Sequence, residues 1–61
     1  MTAEDLKQYE GRRISVKSRK LHNPVCGVLT AVFAGALIIY SEVGIFGIFP
    51  QDVTDFQEVL I

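Results

Sequence analysis

Few side chains in this chain can do chemistry: one cysteine, Cys26, one histidine, His22, six basic residues and seven acids in 61 residues. A catalytic nucleophile needs a base within hydrogen-bond reach and a third group to orient it. The chain shows no such grouping, so it reads as a non-enzyme with no catalytic residue and no small-molecule substrate evident. One Cys and one His also fall short of a zinc ligand set, and no metal or other cofactor is implied. Cys26, between Val25 and Gly27 in an apolar run, reads as a small buried hydrophobe, and His22 as a solvent-facing loop residue.

What remains is charge. Lys7, Arg12, Arg13, Lys17, Arg19 and Lys20 all lie within residues 7 to 20, whereas residues 21 to 61 carry no Lys or Arg and four acids, Glu42, Asp52, Asp55 and Glu58. The formal charge of −1 therefore hides a polarised chain. Such polarity points to a polyanion or a membrane surface, or else to an ordinary solvated strand face. Residues 12 to 19, RRISVKSR, alternate strictly, with Ile14 and Val16 on one face and Arg13, Ser15, Lys17 and Arg19 on the other. A strand has a side-chain period of two, so the pattern predicts a row of three cations on one sheet face. Arg13, Lys17 and Arg19, helped by Arg12 and Lys20, are the candidate phosphate contacts.

The elements that must hold this row follow from the apolar pattern. Thr2 is a candidate N-cap, Glu4 and Asp5 suit the first turn of a short helix, and Leu6 and Tyr9 would share its buried stripe up to Gly11. Residues 25 to 49 are almost wholly apolar but contain four glycines and nine Val, Ile or Thr residues. Each interior glycine costs a helix about 1 kcal/mol relative to Ala, whereas β-branched residues favour strands. As a helix, residues 25 to 41 would also span roughly 25 Å, short of the roughly 30 Å hydrocarbon core. A single-pass membrane peptide is thus the least favoured reading, and a cytoplasmic chain is expected. The run divides into strands at 25–33, 36–41 and 45–49, with Ala34-Gly35 and residues 42–44 as turns; a short helical turn at 50–52 leads into a fifth strand at 53–56. Gly27 marks a bend within the second strand.

Sixty-one residues make a single domain, 1–61, which buries only about 60% of its unfolded surface. With no disulfide available, oligomerisation is the remaining common support for so small a core.

This order of elements resembles the Sm-like fold over roughly residues 4 to 57. The resemblance is carried by Leu6 and Tyr9 with Gly11-Arg-Arg-Ile14-x-Val16, by Val25-Cys-Gly27-Val-Leu29-x-x-Val32, by Leu37-Ile-Ile39, and by Ile48-Phe-Pro-Gln-Asp-Val53-x-x-Phe56. The spacings are similar to those of bacterial Hfq proteins. It implies a mainly β fold, a small five-stranded Sm-like barrel with a short N-terminal helix, assembled as a homo-oligomeric ring, hexameric or heptameric, past whose pore loops RNA threads. In such rings the fourth strand of one subunit pairs with the fifth of the next, which makes Ile45, Phe46, Ile48, Phe49, Val53 and Phe56 the candidate interface. The chain departs from the family at both base-contacting loops. Phe33-Ala-Gly-Ala36-Leu37 stands where Asp and Asn are usual, and Pro50-Gln51 stands where Arg-Gly or Lys-His is usual. Gln51 is left as the one base-bonding group, and Phe33 as an aromatic that either stacks on a ligand or packs across an interface. Residues 45–53 also look like the ending of a Src-homology (SH3-like) barrel, without its aromatic groove. Two functions follow as expectations: an oligomeric barrel binding RNA through backbone phosphates, or a structural or protein-interaction barrel that binds no nucleic acid.

Overall fold

The computed structural model describes residues 3–60, which form five antiparallel strands in one open sheet preceded by a short helix. Helix α1, Ala3–Leu6, carries Glu4 and Asp5 in its first turn and tightens into a 3-10 helix at Lys7–Tyr9. The tightening satisfies carbonyls that a helix end leaves open: the Glu10 N–H donates to the Lys7 carbonyl at 3.1 Å and the Arg12 N–H to the Tyr9 carbonyl at 3.0 Å. Gly11 then takes φ 85°, and its N–H donates to the Leu29 carbonyl at 2.7 Å, anchoring the helical segment to the sheet. The expected cap, Thr2, lies outside the described residues.

The strands are β1 (Arg13–Ser18), β2 (Val25–Phe33), β3 (Ala36–Ser41), β4 (Gly44–Ile48) and β5 (Val53–Glu58), in the spatial order β4-β3-β2-β1-β5. β2 and β3 have the bounds expected from sequence. β1 is one residue shorter at each end, β4 starts at Gly44 and stops before Phe49, and β5 runs two residues past Phe56. Ala34 (φ 54°) and Gly35 (φ 80°) make the two-residue hairpin between β2 and β3, both in the left-handed region whose twist matches that of the strands.

Alternation sends Ile14 and Val16 of β1, Val25 and Leu29 of β2, Leu37 and Ile39 of β3 and Ile48 of β4 into one core, joined by Leu6. Each such burial contributes about 1.5–3 kcal/mol. The Tyr9 and Phe56 rings pack edge-on beside it, with centroids 5.0 Å apart. Two expectations are corrected here. Cys26 is exposed, because strand neighbours face opposite sides and Val25 and Gly27 point inward. The Ile48 side chain, expected between copies, is buried in its own core.

Gly27 is buried, and a Cβ built there would collide with the Tyr40 carbonyl oxygen and sit 3.1 Å from the Ser41 Cα. The bare backbone lets β3 pass closely over β2. The sheet does not close on itself: β4 and β5 are its two edges, each with one neighbour. No helix among the described residues is long and apolar enough to cross a membrane, and the apolar run 25–49 is spent on β2, β3 and β4.

Candidate functional site

β5 lies beside β1 in antiparallel register, with Val16 opposite Phe56 and Lys17 opposite Asp55. That pairing brings the acids of the C-terminal part onto the bases of the N-terminal part. Arg12 Nη1 donates to Glu58 Oε2 at 3.0 Å. Arg19 Nε donates to Asp52 Oδ1 at 3.0 Å, and Lys20 Nζ lies 3.3 Å from Asp52 Oδ2. The charge separated along the sequence is recombined in space.

Arg19 does not join the row of cations. β1 ends at Ser18, where the ladder with β5 shifts register at Lys17/Ser18, and the chain turns away. The Arg19 N–H donates to the Asp52 carbonyl at 2.9 Å, so backbone and side chain both grip the 3-10 helix Pro50–Asp52. Asp52 is 3% exposed. Burial pushes its carboxyl up, but hydrogen bonds from Arg19 and Lys20 and their charges outweigh this, and the group is held below the ordinary aspartate value of 3.8.

Arg13 and Lys17 do share the outer face of β1, with the half-buried Ser15 between them. Among the described residues neither has an ion-pair partner within contact distance, although Asp55 stands opposite Lys17. Gln51 is exposed on the 3-10 helix before β5, and Phe33 is 73% exposed at the β2–β3 turn. No hydrogen bond or ring contact links either to the basic residues. Of the seven residues expected to contact RNA, two therefore form a free basic pair, three are engaged with acids, and two stand apart.

The β4 edge is the other notable surface. Ile45, at 65% exposure, and Phe49 are uncovered, with Val43 in the preceding turn. Phe46, Val53 and Phe56 instead lean half-buried on the core. No group of three or more acids, His or Cys that would hold a metal occurs among the described residues.

The ion pairs were not foreseen, although each of their acids is visible as a C-terminal excess of negative charge. Strand pairing across some 40 residues of sequence is what matches them, and alternation within β1 alone carries no sign of it. Comparison of the chain with family models, curated proteins and solved structures finds no match.

Proposed function

We propose that this chain is a non-catalytic assembly module, an Sm-like barrel that self-associates by joining the β4 edge of one copy to the β5 edge of the next. The observation that carries this reading is the β4 edge: a strand paired on one side only, with no charge or proline within Gly44–Ile48, with Ile45 exposed on it and Phe49 exposed just after it. Edges left in this state pair with other chains unless something guards them. A closed ring of six or seven copies would cover every edge. A cytoplasmic setting suits the single exposed thiol, which that compartment keeps reduced.

RNA bound along the outer face is a second reading, favoured by Arg13 and Lys17, which have no ion-pair partner among the described residues. It ranks below assembly because Arg12, Arg19 and Lys20 already hold acids of the same chain.

Sedimentation of the parent and of Ile45→Lys tests the first reading. The parent should run as a discrete oligomer, and the variant, which changes only an exposed position, as a folded monomer. A parent that stays monomeric throughout a broad concentration series would remove the ring.

A further inference from the structure

An open groove of about 730 Å³ runs between the loop at residues 21–24, the first half of β2 and the β3–β4 turn. Its size falls within the range of small-molecule sites, about 300–1,000 Å³. Leu21, Val25, Val28, Val43 and Phe46 supply apolar wall. In the ladder Arg13 stands opposite Val28, and Val28 opposite Tyr40, so a cation, an aliphatic and an aromatic residue follow one another across the sheet into the groove.

Among the described residues Arg13 is the arginine with no acid in contact, since Arg12 is held by Glu58 and Arg19 by Asp52. An unneutralised guanidinium at the side of an apolar trough complements a molecule with an apolar body and one anionic head, and its planar fork suits a carboxylate. Glu42 also lines the groove, on the β3–β4 turn at the opposite side from β1. It repels a second negative charge there and so favours a monoanion over a polyanion. We propose that this groove binds a small apolar carboxylate, with its head on Arg13 and its body over Val28 and Tyr40. The proposal does not require self-association, but it does require that any self-association leave the groove open.

Cys26 gives the test a built-in reporter, because it is the one cysteine, is exposed and lines the groove. The rate at which the neutral reagent iodoacetamide alkylates Cys26 is measured with increasing octanoate and, separately, with 1-octanol. Octanoate should slow the reaction saturably, at a concentration roughly tenfold below that needed for 1-octanol, as expected of a charge-assisted pair. Arg13→Gln should bring octanoate down to the level of 1-octanol, Arg13→Lys should keep part of the difference, and Lys17→Gln should keep all of it. The proposal is overturned by a rate indifferent to octanoate, by equal protection from 1-octanol, or by Lys17→Gln losing protection as fully as Arg13→Gln. A thiol unreactive from the start, with the groove covered by another copy, also overturns it, and sedimentation of the same samples identifies that case.

Discussion

The carboxylate of Asp52 and the guanidinium of Arg19, 33 residues apart in the chain, meet at 3.0 Å. Their bond fastens the connection between β4 and β5 to the loop that leaves β1. The acid is buried and the base mostly exposed, so the contribution of the pair depends on the charge of Asp52.

Asp52→Asn should lower the melting temperature at neutral pH, since it leaves Arg19 and Lys20 without their acid. In the folded chain the Asp52 carboxyl is held below 3.8, so the unfolded chain takes up a proton first as pH falls. The stability from this cluster is therefore complete well above that value, declines as pH drops through it, and is gone below the folded value. Thermal melts near neutrality and at about pH 3 should show the parent losing more stability than Asp52→Asn.

Gly27→Ala should cost at least about 1–3 kcal/mol, the usual penalty of overpacking, because the new methyl meets backbone at the Tyr40 carbonyl rather than a yielding side chain. A fall in the urea midpoint measures it. Gly35→Ala, with open space around the same addition, should suffer only from its positive φ.

Leu37→Ala removes a fully buried side chain and should cost about 2–5 kcal/mol. A chain of this length has only about 3–9 kcal/mol in total, at roughly 0.05–0.15 kcal/mol per residue. The variant should therefore lose a large share of that stability and melt well below the parent by circular dichroism, whereas Leu60→Ala, at an exposed position, should be silent.

If RNA is held by the free pair Arg13 and Lys17 alone, the slope of log affinity against log salt should be about −1.4 for a single strand. Arg13→Glu with Lys17→Glu should then abolish retention without altering the melt. A much steeper slope in the parent would mean that Arg12, Arg19 or Lys20 leave their acids to bind phosphate.

The elements were legible where local chemistry decides them. β2, β3 and their Ala34-Gly35 turn follow from β-branched residues divided by a tight glycine turn, and Pro50–Asp52 from its turn residues. Face assignment failed at Cys26 because apolar neighbours in sequence were read as neighbours in space. The basic row lost Arg19 because a strand end is set by its partner, here the register shift against β5, and not by the strand's own pattern. The groove had no sequence signal at all, since its walls come from a loop, four strands and a turn.

The two edges of the sheet are chemically unlike: β4 is uncharged, whereas β5 carries Asp55 and Glu58. Two copies of β5 would set acid against acid, whereas β4 brings no charge to a contact, so the proposed joining of β4 to β5 avoids that repulsion and would run head to tail. Such a contact either returns to its starting point as a ring or continues as a filament, depending only on the angle between successive copies.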